Sequence, residues 1–333
     1  MNTRNIGDRA VGEIGLGCMG MSHAYGQSDD PSSLAVLARS LELGVDHWDT
    51  ADLYGAGENE RLLAQALPGV RDRVFLATKF GNVYDRTLTS HQDQVAANAG
   101  WIVDGTPEYA RKSIDLSLRR LGVDHVDLYY LHRTDDTVPI EETVGAMAEF
   151  VKAGKVRAIG LSECSAETLR RAQAVHPITA VQSELSVWTR DYLHDVVPLC
   201  AEIGAAFVAY SPLGRGFLTG RFESPDDIPE GDFRRNAPRF QGENFAKNKA
   251  IVDAVREIAD AHGAQPGQVA LAWVLAQGSH VVTIPGTKRV PYLEENAAAD
   301  ELTLTGEELA RLSGLPTAAG GRYAESTAHT VNR

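Results

Sequence analysis

The chain has 333 residues, 43% of them hydrophobic and 23% charged, with a formal net charge of −13. That length suits a single α/β barrel domain with insertions, and the acidity argues against a nucleic-acid or anionic-membrane partner, so any bound polyanion must be held by local basic groups. Met1 to Gly7 lacks the apolar core of a signal peptide, no later run is long enough to cross a bilayer, and Cys18, Cys164 and Cys200 are too few and too scattered for a disulfide framework or zinc site; a cytoplasmic protein without a metal is expected.

Gly15-Leu16-Gly17-Cys18-Met19-Gly20 is a formal G-x-G-x-x-G. A dinucleotide fingerprint needs a helix opening directly after its last glycine, whereas Met21 to Asp30 is polar and loop-like, so the segment reads as a glycine-rich first strand. The chain then alternates. Pro31 to Leu43 reads as a helix and Val45 to Asp49 as a strand; Asn59 to Leu67 is helical and stopped by Pro68-Gly69, and Val74 to Lys79 is a strand. Thr106-Pro107-Glu108 starts a helix whose apolar stripe is Ala110, Ile114, Leu118 and Leu121, followed by a strand from Val126 to His132. Ile140, Val144, Met147 and Val151 form the next stripe and lead to a strand from Val156 to Ser162. A helix from Ala166 to Val175, a strand at Ala180 to Gln182, a helix from Tyr192 to Ile203 and a strand from Ala206 to Tyr210 follow. After a polar interval from Arg221 to Glu243 come helices at Lys247 to His262 and Gly267 to Ala276, and a last strand from Val281 to Ile284. Eight such units predict a closed (β/α)8 TIM barrel before an open doubly wound sheet.

In such a barrel, chemistry sits at the C-terminal strand ends. Asp49 ends the second strand, Lys79 the third, His132 the fourth, Ser162 and Glu163 the fifth, Gln182 the sixth, and Tyr210 and Ser211 the seventh, so these residues are expected to meet at one mouth. Each has a bland alternative, since a strand-end lysine often reaches solvent and a lone histidine is often scaffold; their joint position is what the alternative explains poorly. Asp49 beside Lys79 keeps the amine charged, and that cation is expected to lower the phenol pKa of Tyr54 from about 10 toward working pH, making Tyr54 a proton donor. His132 supplies a second hydrogen bond to a substrate carbonyl. Such a site interconverts a carbonyl and an alcohol and needs a hydride source. Barrels often bind phosphate after strands seven and eight; there stand Ser211, Leu213, Arg215 and Gly216, then Pro285, Gly286, Thr287, Lys288 and Arg289 before a helix starting near Pro291. Two adjacent basic residues favour NADPH over NADH. Tyr210 is placed to stack on a nicotinamide ring, with Gln182 and Ser162 on its carboxamide.

At this point the chain resembles the aldo-keto reductases over nearly its whole length. The resemblance rests on Trp48 to Gly55, on Lys79 within Ala77-Thr78-Lys79-Phe80, on Asp127 to His132, on Gly160-Leu161-Ser162, on Ala209 to Leu213 and on Ile284 to Lys288, with Glu295-Asn296 at the adenine side. It implies NADP(H)-dependent reduction of a small-molecule carbonyl, with Asp49, Tyr54, Lys79 and His132 as a tetrad and a cofactor bound without a Rossmann domain. Three features depart from the family pattern. An insertion, roughly Gly81 to Gly105, carries Tyr84, His91 and Trp101 and is expected to shape the pocket, together with Gln27 to Asp29 and the Arg221 to Glu243 loop. Glu163 stands where many members have asparagine, and Gly286 where some have a basic phosphate ligand. Two other readings remain: a regulatory module similar to the potassium-channel β subunits, which the lack of a long segment before the first strand disfavours, and an aldolase-like enzyme with Lys79 as a Schiff-base nucleophile, which leaves the basic loop after strand eight without a use.

Overall fold

Two-residue alternation along the strands sorts their side chains into two cores. The structure, a computed structural model, describes residues 1–22, 24–26, 28–84 and 101–323. Its barrel strands are β3 (Leu16–Gly17), β4 (His47–Asp49), β5 (Phe75–Phe80), β8 (Val126–Leu131), β9 (Val156–Ser162), β10 (Ala180–Glu184), β11 (Ala206–Tyr210) and β12 (Val281–Thr283), all parallel and paired in that order. The ring closes where Gly15 N donates to the Thr283 carbonyl at 2.7 Å and Thr283 N to the Glu13 carbonyl at 3.0 Å. Phe75, Ala77, Leu128, Tyr130, Ala180, Ala206, Val208 and Val282 face inward and form the barrel's own core. Their neighbours Leu76, Phe80, Tyr129, Leu131, Val181 and Phe207 face outward into the larger core beneath the helices. Because both faces are covered, the strands read as continuous apolar runs. Inside, a large ring demands a small neighbour: a Cβ on Gly160 would lie 2.6 Å from the Tyr130 ring.

The helices fill the intervals the sequence assigns them, with shifted ends. Asp29 caps the helix Asp30–Glu42, and Thr106 caps Pro107–Leu121 by accepting from Tyr109 N at 3.2 Å. The helix expected from Tyr192 begins at Val196, and the one expected from Lys247 begins at Gly242. Among the described residues, no helix is long and apolar enough to cross a membrane.

Two hairpins were not anticipated. β1 (Thr3–Ile6) and β2 (Arg9–Gly12) pair antiparallel around Gly7-Asp8, with Gly7 at φ 63°, and send Ile6 and Val11 into the barrel core, closing its N-terminal end. The Gly-Asp turn was the available signal. β6 (Asn82–Tyr84) pairs with β7 (Trp101–Val103) at the base of the predicted insertion. The insertion's central part, with His91, lies outside the described residues, as do Gln27, the side chains of Tyr84 and Trp101, and the end of the chain after Tyr323.

Candidate active site

The inward positions nearest the C-terminal strand ends are the ones that carry polar groups. Asp49 on β4, Lys79 two residues beyond Ala77 on β5, His132 two beyond Tyr130 just past β8, Ser162 on β9, Gln182 on β10 and Tyr210 on β11 continue the inward parity of the apolar layers. Strand geometry therefore brings these six to one mouth. Lys79 is fully buried, and its Nζ donates to Asp49 Oδ1, to the Thr50 carbonyl at 2.8 Å and to the Tyr54 hydroxyl at 3.5 Å. Gln182 Nε2 donates to the other Asp49 oxygen at 2.8 Å, which fixes the carboxylate from both sides. The Tyr54 and His132 rings meet edge to face, centroids 5.8 Å apart.

Tyr54 sits where a single helical turn, Tyr54–Gly57, is forced through left-handed conformations at Gly55 and Ala56. The turn is pinned from behind, with Thr50 Oγ1 donating to Asn59 Oδ1 at 2.6 Å and Asn59 Nδ2 to the Cys18 carbonyl at 2.9 Å. A non-glycine residue at positive φ is strained and persists only where its surroundings hold it.

Electrostatics sets the protonation of the group. Burial disfavours the Lys79 ammonium, but Asp49 and then Tyr54 outweigh it, and the lysine pKa lies above its ordinary value. His132 is pushed well below the usual histidine range, first by burial and then by Arg133 and Lys79, so its imidazole is neutral at neutral pH. For Tyr54 the sequence expectation needs correction. Lys79 does pull the phenol pKa down, but burial acts more strongly and the net direction is upward. The phenol is therefore held in its acid form, with a cation ready to stabilise the phenolate.

The mouth opens into a cleft of about 1290 Å³. Asp49, Tyr54, His132, Ser162, Gln182, Tyr210, Ser211, Leu213, Arg215, Gly216, Pro285, Gly286, Thr287, Lys288, Arg289, Glu295 and Asn296 all line it, and Lys79 touches it through Asp49 and Tyr54. Lys288 Nζ spans part of the cleft to the Tyr25 carbonyl at 2.8 Å. Glu163 is the exception among the residues expected on a cofactor. Its backbone is left-handed at φ 53°, and its carboxylate is buried away from the cleft, pairing with Arg322 at 2.7 Å and accepting from Tyr192 at 3.0 Å and from Glu184 N at 2.9 Å.

Sequence reasoning missed Arg133, Arg322 and Tyr323, which line the cleft beside Arg221 and Arg234 of the loop expected to shape it. Arg133 follows His132 directly and was findable by position. Arg322 and Tyr323 carried no signal, because only folding brings the chain's end back to β9, β10 and β11, where Arg322 Nη2 donates to the Tyr210 hydroxyl at 2.9 Å and the Tyr210 and Tyr323 hydroxyls lie 3.0 Å apart.

Comparison with known proteins bears on the family and the fold. The model of the Aldo/keto reductase family matches residues 13–316. The NADP(+) aldo-keto reductase yakc of Schizosaccharomyces pombe is 46% identical over 329 residues, covering 96% of this chain and 94% of that protein. Among solved structures, a glycerol dehydrogenase from Gluconobacter oxydans superposes with a TM-score of 0.84 at 29% identity, covering 93% of each chain. An aldo-keto reductase from Klebsiella pneumoniae in complex with NADPH superposes with a TM-score of 0.69 at 27% identity, covering 95% of each.

Proposed function

The chain belongs to the aldo/keto reductase family, and from that premise we propose that it is an NADP(H)-dependent oxidoreductase that reduces an aldehyde or ketone to an alcohol, with Tyr54 as proton donor. The observation that carries this reading is the Tyr54 hydroxyl, 3.5 Å from the buried Lys79 ammonium and beside a neutral imidazole, at the mouth of a cleft large enough for a dinucleotide.

The cleft's residues fit such a cofactor. Arg221, Lys288 and Arg289 bring cations to one stretch of it in a protein that is acidic overall, and Arg289 is the N-cap of the helix Val290–Ala297, whose start favours anionic oxygen. At the other end Tyr210 presents a ring, with the Ser162 hydroxyl and the Gln182 amide available to a carboxamide. When bound, NADPH supplies the hydride that reduces the carbonyl carbon. Tyr54 gives its proton to the carbonyl oxygen as negative charge develops there, and Lys79 stabilises the resulting phenolate through charge and hydrogen bond. Asp49, held by Gln182, keeps Lys79 charged and aimed at Tyr54. Neutral His132 donates a second hydrogen bond to the same oxygen and orients the carbonyl. Partners beyond a small-molecule carbonyl are not needed, and the location is the cytoplasm.

The test is NADPH oxidation across a panel of aldehydes and ketones, with NADH in parallel and Tyr54→Phe beside the wild type. The variant is expected to lose at least about a hundredfold in kcat, the usual scale for a general acid, while NADPH affinity stays within twofold. Loss of NADPH binding together with turnover would remove the role given to Tyr54, and a protein that binds NADPH but oxidises it with no carbonyl would be a nucleotide-binding module instead.

A further inference from the structure

Around the Tyr323 hydroxyl the mouth concentrates positive charge that its own carboxylates do not neutralise. Arg133 is 6% exposed and lines the cleft. Its Nη1 donates to the His132 carbonyl at 2.7 Å and to Ser162 Oγ at 3.4 Å, its Nη2 donates to the Tyr323 hydroxyl at 3.2 Å, and its Nε has no hydrogen-bond partner among the described residues. The nearby carboxylates are committed to other guanidiniums. Glu163 pairs with Arg322 at 2.7 Å; Glu184 pairs with Arg239 at 3.0 Å, Arg322 at 3.3 Å and Arg215 at 3.5 Å; Asp191 reaches Arg322 at 3.8 Å. Among the described residues Arg133 has only neutral acceptors. Glu163 acts on Arg133 through charge but does not accept from it, and a buried guanidinium with no carboxylate in its hydrogen-bonding fork is costly, since that planar fork is shaped for one.

The oxygen that Arg133 does touch marks the place. The Tyr323 hydroxyl lies 3.0 Å from that of Tyr210, and the Arg215 guanidinium stands 5.1 Å from the centre of the Tyr323 ring. Burial disfavours negative charge at the Tyr210–Tyr323 hydroxyl pair, but Arg133, Arg322 and Arg215 around it favour that charge. An oxygen at this point is stabilised as an anion. It is also the carbonyl end of the cleft, since Arg133 is the chain neighbour of His132 and Arg215 stands against Tyr323, whereas Arg221, Lys288 and Arg289 are the cations left for cofactor phosphates.

We propose that the position of the Tyr323 hydroxyl is an anion subsite framed by Arg133, Arg215 and Tyr210, and that the carbonyl substrate carries a carboxylate that displaces this hydroxyl to reach Arg133. The proposal rests on the reductase reading and narrows it to oxo-acids. No covalent step is added to the reduction itself.

The experiment uses the full chain with 4-carboxybenzaldehyde and its methyl ester as paired substrates, with NADPH affinity measured by fluorescence. The wild type is expected to prefer the acid in kcat/KM, and Arg133→Met to lower the acid-to-ester preference at least tenfold, mainly through KM. Arg133→Lys, which keeps the charge without the fork, should retain part of the preference and carries the test if the methionine variant does not fold. Equal use of acid and ester by the wild type, or a loss in Arg133→Met that lies in NADPH affinity instead, overturns the proposal. Calorimetry of benzoate and benzamide on the NADP-saturated protein separates it from the reductase reading. A benzoate preference that Arg133→Met abolishes supports the subsite even where no carbonyl is reduced. Reduction of the ester without any benzoate preference refutes the subsite and leaves the reductase intact.

Discussion

The two ends of the barrel are built from the same strands and treat charge in opposite ways. At the N-terminal end the hairpin closes the interior, and Asp127, 1% exposed, is surrounded by Arg71 at 2.8 Å, Arg9 at 3.2 Å, Arg157 at 3.4 Å and the backbone N of Leu76 at 2.9 Å. Arg4 there gives Nη1 to the carbonyls of Leu275, Gly278 and Val281, and its Nε to Glu13. At the C-terminal end, by contrast, Ala24, Ala56, Glu163, Ser211 and Arg215 all take positive φ on the mouth loops. No non-glycine residue at positive φ is found at the N-terminal end among those described. Strained non-glycine backbone gathers at the end where a ligand would meet it.

That contrast can be attacked directly. The largest effect is expected from Lys79→Met at the mouth. Turnover should fall by about a hundredfold to ten-thousandfold, as for loss of an acid–base group, and because Asp49 is left buried with Gln182 as its remaining side-chain partner, thermal stability should fall too, by roughly 3–5 kcal/mol. A variant that keeps full activity would separate the lysine from the chemistry. Next comes the ion cluster that anchors the end of the chain over the mouth. Burial raises the Glu184 pKa, but Arg322, Arg215 and Arg239 overcome it and hold the carboxyl at about 2. A carboxyl depressed on folding stabilises above its unfolded pKa, and that contribution is lost as pH falls through its folded one, so the wild type should lose roughly 3 kcal/mol between about pH 5 and pH 2 from this group. Melting temperature followed down that range should fall less steeply in Glu184→Gln; identical slopes would show that the cluster does not couple to folding. The smallest effect is expected at the closed end. Asp127→Asn keeps the side chain's shape and one acceptor, so it should cost about 1–3 kcal/mol in denaturant unfolding while kcat stays within twofold of wild type. A large activity loss there would erase the distinction between the ends.

The sequence made the mouth legible and the closed end almost invisible. Asp49, Lys79, His132, Ser162, Gln182 and Tyr210 could be placed because a strand's last inward residue is fixed by counting in twos from its apolar run. The β1–β2 hairpin has only four residues per strand and no clear alternation, so its Gly7-Asp8 turn went unread. Glu163 lies off the cleft for a different reason. Its position in the chain, one past Ser162, put it on the cofactor, but a left-handed backbone turned its carboxylate down to Arg322.

Local pattern alone thus determined the barrel, the set of strand-end side chains and the family resemblance, because period and order in the chain are enough to fix which residues face the axis and at which end. What only tertiary structure decided was the balance of charge at that end. Arg322 and Tyr323 meet Glu163, Glu184, Tyr210 and Arg133 across more than a hundred residues of chain, and whether a buried guanidinium is left with a carboxylate or with neutral acceptors depends on which of them the fold brings to one point in space. The Tyr54 pKa follows the same rule: the sequence named its cation, and only burial, a property of the whole fold, set the direction.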